Sequence, residues 1–259
     1  MPTVNIQGIP VFYAQRPGDQ CNLVFVHGAG GNHRIWLRQL NSLRQVNAYA
    51  LDLPGHGQSG RQGRRTISEY SEFVIAFLDA LKIEQAVIGG HSMGGAISLD
   101  LALRYPRRVA GLVLVCTGAR LRVNPLILNG LREDFQGTVN LIGQFAYGPD
   151  APPEAVRLGQ EQMLDTLPEV LYHDFAACDA FDVLDRLAEI HCPTLVISAT
   201  ADRLTPLKYG TYLQEHISGA QLTVIEGAGH MVMLERPAQV TQAIQDFLTA
   251  LQAPHVGQA

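Results

Sequence analysis

Three residues of this chain have the types and surroundings that nucleophilic acyl transfer needs. Ser92 lies in Gly90-His91-Ser92-Met93-Gly94, a G-x-S-x-G run between an apolar stretch suited to a strand (86–90) and a helical stretch (94–105) ended by Pro106. In that setting the pattern describes a sharp strand-to-helix turn. Such a turn strains the serine backbone and exposes its Oγ, and the flanking glycines let neighbouring chain approach. The helix N-terminus favours negative charge developing beside it. A serine hydroxyl is a weak nucleophile without a base. His230, in Gly227-Ala228-Gly229-His230 just after the last apolar strand (222–225), has the strongest claim among nine histidines. An imidazole in turn needs its tautomer fixed and its cation stabilised, and a carboxylate does both. Asp202 follows a strand over 194–198, whereas Cys116-Thr117-Gly118 after the preceding strand (109–116) offers no acid. Serine, acid and base in the order Ser92, Asp202, His230 is the order that accompanies this kind of elbow.

A tetrahedral intermediate also needs donors aimed at its oxyanion. The backbone N–H of Met93, directly after Ser92, is one expectation. The N–H of Ala29 in His27-Gly28-Ala29-Gly30-Gly31, the turn after a short strand over 23–26, is the other. That loop lacks both G-x-G-x-x-G and the Lys-Ser/Thr of a P-loop, so it does not read as a phosphate cradle. Asp52 and His56 in Asp52-Leu53-Pro54-Gly55-His56-Gly57-Gln58-Ser59 read as braces of a tight turn near the site. His27, His33, His56 and His91 have no metal-binding spacing, and we expect neither metal nor cofactor.

The elements that must position these residues alternate. A near-alternating apolar pattern around Gln7-Gly8 predicts an N-terminal hairpin. Asn32 can cap a helix carrying Ile35, Trp36, Leu40 and Leu43, and 48–53 is a buried strand. Thr66-Ile67-Ser68-Glu69 is a capping box, followed by Tyr70, Phe73, Val74, Phe77, Leu78 and Leu81 on one helical face. A final helix starts near Pro237, and 254–259 reads as a loose tail. Strands alternating with helices imply an α/β fold with a mainly parallel sheet covered on both faces. Residues 118–185 break the rhythm with helical patches (126–135, 139–145, 154–167, 169–178) and no strand. The expected organisation is therefore a core of 1–117 and 186–259 with an inserted helical cap over 118–185.

Composition bounds the partners. With 259 residues, one large core is possible. A net charge of −5 leaves no basic footprint for nucleic acid. The N-terminus lacks the charged and apolar regions of a signal peptide, and the longest apolar stretch, around 110–115, is far too short to span a bilayer. Cys21, Cys116, Cys178 and Cys192 show neither pairing nor metal spacing and suit a reducing, cytoplasmic setting.

Taken together, His27 to Gly31, Asp52 to Ser59, Gly90 to Gly95, Asp202 with Pro206, and Gly229-His230 with Glu235-Arg236-Pro237 resemble the blocks of the α/β-hydrolase superfamily. Within it the chain resembles small capped carboxylesterases and enol-lactonases. The resemblance implies a serine esterase that forms an acyl-enzyme on a small-molecule ester, with a catalytic triad, an oxyanion hole and a cap. Dehalogenases and epoxide hydrolases would carry Asp at the Ser92 position. Cofactor-free haloperoxidases and perhydrolases share the three residues, C–C bond hydrolases often differ at His91, and a receptor-like binding protein is the non-enzyme alternative. An enol-lactonase needs a cation for the substrate carboxylate, for which Arg120, Arg122, Arg132 and Arg157 are available. Trp36 reads as core or pocket wall. Together with Leu126, Phe135 and Phe145 it is the candidate lining of an apolar acyl pocket.

Overall fold

The chain begins with two antiparallel strands, β1 (Thr3–Ile6) and β2 (Ile9–Arg16), joined by Gln7 and Gly8. Both turn residues have positive φ, 53° and 84°, the combination that matches the twist of a two-residue hairpin. Strand β3 (Asn22–Val26) leads to a 3₁₀ turn (His33–Trp36), helix α1 (Leu37–Ser42) and strand β4 (Asn47–Leu51). The Asn32 side chain accepts from the Arg34 N–H and starts this segment, but it folds as two pieces rather than one helix. Helix α2 (Ile67–Ala80) has the capping box: Glu69 N–H donates to Thr66 Oγ1 at 3.1 Å and Thr66 N–H donates to Glu69 Oε2 at 3.1 Å. Strand β5 (Ala86–His91), helix α3 (Met93–Arg104) and strand β6 (Val109–Val115) follow.

Four helices then intervene: α4 (Pro125–Glu133), α5 (Phe135–Ala146), α6 (Pro153–Asp165) and α7 (Pro168–Ala180). Three of them place proline in the first turn, where its missing N–H costs nothing. Phe135 starts α5 instead of ending α4, because the Asp134 side chain accepts from Gly137 N–H and caps the second helix. The two ends of the insert meet, with Arg120 bridged to Asp182 and Val183 N–H donating to Ala119 O. The chain returns to the sheet through β7 (Thr194–Ala199), α8 (Leu207–His216), β8 (Gln221–Ile225), the short α9 (Val232–Glu235) and α10 (Pro237–Gln252). The computed structural model describes residues 2–252, so the expected tail over 254–259 lies outside the described residues.

The eight strands form one sheet in the order β1-β2-β4-β3-β5-β6-β7-β8, antiparallel only around β2. Side-chain alternation splits the core in two. Val24, Val26 and Ile88 face the layer of α2, α3 and α8, and Leu23, Phe25 and Val87 face that of α1 and α10. From β3 the chain steps outward to β4, then crosses back to β5 on β3's other side. The loops that leave β3 and β5 therefore diverge, opening a crevice at the carboxyl edge of the sheet. Among the described residues, no helix is long and apolar enough to cross a membrane.

Candidate active site

Ser92 caps the N-terminus of α3 at φ 53°, ψ −116°, a backbone region that L-residues avoid. Two things hold it there. Its N–H donates to Val115 O on β6 (3.1 Å), and its carbonyl accepts from Gly95 N–H (2.9 Å) and the Thr117 hydroxyl (2.7 Å). The close crossing of α3 and β3 that this geometry requires leaves no room for a side chain at position 94, where a β-carbon would run into the Val26 carbonyl. Ser92 is partly exposed although its neighbours on both sides are buried.

Asp202 follows β7 and His230 follows β8. His230 Nδ1 lies 2.9 Å from Asp202 Oδ2. Asp202 is buried and accepts three further hydrogen bonds: Leu204 N–H (2.8 Å) and Thr205 N–H (2.9 Å) to Oδ1, and the Thr205 hydroxyl (2.7 Å) to Oδ2. Burial alone would raise its carboxyl pKa. His230 and the Thr205 donors outweigh that and hold the group well below the usual carboxylate range. A carboxylate facing Nδ1 makes that nitrogen the donor, which leaves Nε2 as the basic position. The His91 ring anchors His230 next to the Ser92 turn. Its Nε2–H donates to the His230 carbonyl at 3.1 Å, and the two rings are 4.6 Å apart. His91 is itself buried, which pushes its imidazolium pKa well down and keeps it neutral.

The loop after β3 passes close to Ser92: a β-carbon on Gly28 would lie 3.2 Å from the Ser92 Cβ. Within this loop the amides of Gly30, Gly31 and Asn32 donate to Asp174, Gly28 O and Gln162. Among the described residues the Ala29 amide has no such acceptor. Asp52 accepts from His33 N–H (2.7 Å), His33 Nδ1–H (2.8 Å) and Gln58 N–H (2.9 Å), tying the loops after β3 and β4 together. Burial works against its charge, but the His33 contact outweighs it and lowers its pKa.

Beside this centre lies a cavity of about 460 Å³, its open mouth included. Its walls come from Gly28, Ala29 and His91, from Ile35 and Met231, and from Val139, Ile142, Tyr147 and Met163 of the insert. The four residues expected to line an acyl pocket do not line it. Trp36 is fully buried and stacks on Phe25 with ring centroids 4.5 Å apart, because the 3₁₀ turn directs Ile35 to the cavity and Trp36 to the sheet. Leu126 is 70% exposed at the start of α4. Phe145 is 39% exposed under the Arg203 guanidinium, 4.8 Å from its ring centroid, while its helix mates Val139, Ile142 and Ala146 face inward. Phe135 packs on the insert's own small core with Leu131 and Leu171.

Several contributing residues escape the sequence reading. Thr205 is legible in principle, since Asp-x-x-Thr after a strand is an Asx-type turn. Cys116 lies at φ 45° with its buried thiol against Asp202; burial first, and that carboxylate second, push its pKa well up. Cys116, Asp202 and His230 offer ligand atoms within 4.8 Å of one another, all of them buried. Glu235 is buried and accepts from Gly229 N–H (3.1 Å), fixing the turn before His230, and from Gly148 N–H (3.0 Å) of the insert.

The alpha/beta hydrolase family profile matches residues 23–243. The chain is 29% identical to 3-oxoadipate enol-lactonase 1 of Acinetobacter baylyi over 241 residues, covering 89% of each protein. It is 30% identical over 243 residues to pimeloyl-(acyl-carrier protein) methyl ester esterase of Yersinia enterocolitica, covering 88% of this chain and 93% of that one. Among solved structures, a thermophilic esterase superposes with a TM-score of 0.86 at 36% identity, covering 97% of this chain and 98% of the other. A sheet order, a strained serine and a profile that spans most of the chain thus agree, and the chain belongs to the alpha/beta hydrolase family.

Proposed function

We propose that the protein is a serine carboxylesterase acting on small, uncharged, largely apolar esters. The observation that carries this reading is Ser92, held at positive φ on the end of α3, whose neighbour His91 packs on His230, a histidine whose Nδ1 faces a buried carboxylate. Ser92 Oγ attacks the ester carbonyl carbon while its proton passes to His230 Nε2. The carbonyl electron pair moves to oxygen, where the Met93 and Ala29 amides and the positive end of α3 stabilise it. Collapse of this intermediate expels the alcohol, protonated by His230, and leaves Ser92 acylated. Water, deprotonated by His230, then attacks the acyl-enzyme and releases the acid. Asp202 stabilises the imidazolium in both halves and stays ionised. The reaction as written needs neither metal nor cofactor, and the partner it needs is a small-molecule ester.

The cavity supports an uncharged acyl or alcohol group. Its walls carry no Lys or Arg side chain among the described residues. The insert arginines are engaged elsewhere: Arg120 with Asp182, Arg157 with Glu161, Arg122 with the Asp179 carbonyl, and Arg132 over the Tyr172 ring at 3.9 Å. A substrate carboxylate, as in an enol-lactone acid, would enter this space without a counter-ion. The helices α4–α7 serve as the cap over the site. Four free thiols support a reducing, cytoplasmic setting. A series of p-nitrophenyl esters from acetate to octanoate tests the reading, and turnover should peak among short-to-medium chains. Inert simple esters together with rapid turnover of a carboxylated lactone would replace it by the lactonase alternative. A folded protein that never reacts with a fluorophosphonate at Ser92 would make it a binding module.

A further inference from the structure

The loop that offers the Ala29 amide does not support itself. Its internal bonds both end on one carbonyl: Gly31 N–H (3.0 Å) and His27 Nδ1–H (2.8 Å) donate to Gly28 O. Polar groups around Gly30 turn to the insert. Gly30 N–H donates to Asp174 Oδ2 on α7 (3.1 Å), Asn32 N–H donates to Gln162 Oε1 on α6 (3.2 Å), and the Thr166 hydroxyl lies between Gln162 O (3.1 Å) and Gly30 O (3.4 Å). Gly30 sits at φ 64°, and a β-carbon there would lie 2.7 Å from Leu171 and 2.9 Å from Met163, so the insert packs directly on this peptide.

Asp174 is the hub. It is fully buried, yet it accepts from Gly30 N–H, from His56 Nε2 (2.7 Å) and from the Tyr70 hydroxyl (2.6 Å). The other ring nitrogen of His56 faces the Pro54 carbonyl at 3.1 Å, which can only accept. Both nitrogens of His56 therefore carry protons, and the pair is a buried imidazolium and carboxylate. Burial alone would push the His56 pKa down; Asp174 outweighs it and the net shift is upward. The neighbouring His27 ring, 4.8 Å away, stays neutral because burial lowers its pKa to about 4. A buried carboxylate with three donors and a counter-ion has its charge compensated and holds its partners in place.

We propose that Asp174 is a positioning residue for the oxyanion hole: by fixing Gly30 from α7 it sets the Ala29 amide, so that the hole is formed only while the insert is docked. The proposal rests on Ala29 being an oxyanion donor. The physical link is short. The Ala29–Gly30 peptide is planar, so anchoring Gly30 N–H leaves the Ala29 amide only two soft dihedrals in which to wander. Two bonds from α6 and α7, and the Thr166 hydroxyl between them, close that freedom, and lifting the insert removes all three contacts. Ester hydrolysis is thereby coupled to closure, and a substrate held under a raised insert meets an incomplete site.

The test is Asp174→Asn, whose single carbonyl oxygen cannot serve all three donors. With p-nitrophenyl butyrate, kcat should fall by roughly tenfold to a hundredfold, less than for deletion of a donor outright, with KM within about threefold. Affinity for a trifluoromethyl ketone, which forms a hemiketal oxyanion with Ser92, should fall by the same factor. Affinity for the matching unfluorinated ketone should hold. If Asp174→Asn does not fold, Thr166→Val, which removes the hydroxyl shared by the Gly30 and Gln162 carbonyls and leaves the Gly30 N–H anchored, must show a smaller loss of the same kind. A folded variant with unchanged kcat and fluoroketone affinity overturns the positioning role. So does an equal loss for both ketones, which is what general loosening gives. Wild-type protein that binds the two ketones alike overturns the catalytic reading itself, and this inference with it.

Discussion

Replacing Asp202 by Asn keeps the shape of the site and changes one proton, so it tests the reasoning sharply. The carboxylate receives two backbone donors on Oδ1 and two side-chain donors, Thr205 and His230, on Oδ2. An amide has one oxygen. Placing its NH₂ against the fixed N–H groups of Leu204 and Thr205 would leave buried donors facing donors, at roughly 1–3 kcal/mol each. Placing it at the Oδ2 position is cheaper, because the Thr205 hydroxyl can rotate and accept. That orientation also makes the amide N–H donate to His230 Nδ1. The imidazole then adopts the tautomer with its proton on Nε2, and Nε2 can no longer take the Ser92 proton. A wrong tautomer in such a triad costs about 10⁴ in kcat, or roughly 5 kcal/mol of barrier. The assay is kcat and KM on p-nitrophenyl butyrate, with circular dichroism to confirm the fold. KM should change only a few-fold, and fluorophosphonate labelling of Ser92 should slow in parallel. A folded variant that keeps more than about a tenth of wild-type kcat would refute Asp202 as the acid.

Ser92→Gly should be more stable than Ser92→Ala by about 1 kcal/mol, since only glycine relieves the positive φ; equal Tm values would show that the turn stores no strain. Thr205→Val removes one charge-assisted bond to Asp202 and should cost about 1.5–3 kcal/mol in urea denaturation, with kcat down less than tenfold. Glu235→Gln loosens the turn before His230 and should lower kcat about tenfold with KM little changed; a pure KM effect would place Glu235 in substrate binding instead. Two shifted groups bracket stability with pH. The Asp202 pKa is lowered from its ordinary 3.8, so its contribution is full above about pH 4 and drains away as pH falls further. The His56 pKa is raised from 6.5, so its contribution is full below about pH 6.5 and is lost as pH climbs through the raised value. Thermal melts of Asp202→Asn should therefore show a flatter acid limb than wild type.

Legibility followed the range of the interactions. The serine turn, the capping box at Thr66 and the hairpin at Gln7-Gly8 are local, and each is written in consecutive residues whose backbone preferences do not depend on the rest of the chain. The apolar runs that make the strands are likewise readable, and their alternation with helices dictates a parallel sheet. Because that sheet sends Ser92, Asp202 and His230 to one edge, chain order alone sufficed to pair Asp202 with His230. The cavity was a different matter. Helical spacing groups Val139, Ile142 and Ala146 on one face of α5 and Phe145 on another, but which face looks inward depends on what α5 packs against. Trp36 missed the cavity because residues 33–36 form a 3₁₀ turn that puts Ile35 on the cavity and Trp36 against Phe25 of the sheet. Asp174 had no signal at all, since His56, Tyr70 and Gly30 lie more than a hundred residues away from it. By itself, then, the sequence determined the fold, the strained turn at Ser92 and the meeting of Asp202 with His230, because those rest on backbone geometry and the order of strands. Tertiary structure alone decided the cavity wall and the clamp on Gly30, because both arise where the insert's side chains meet loops distant in the chain.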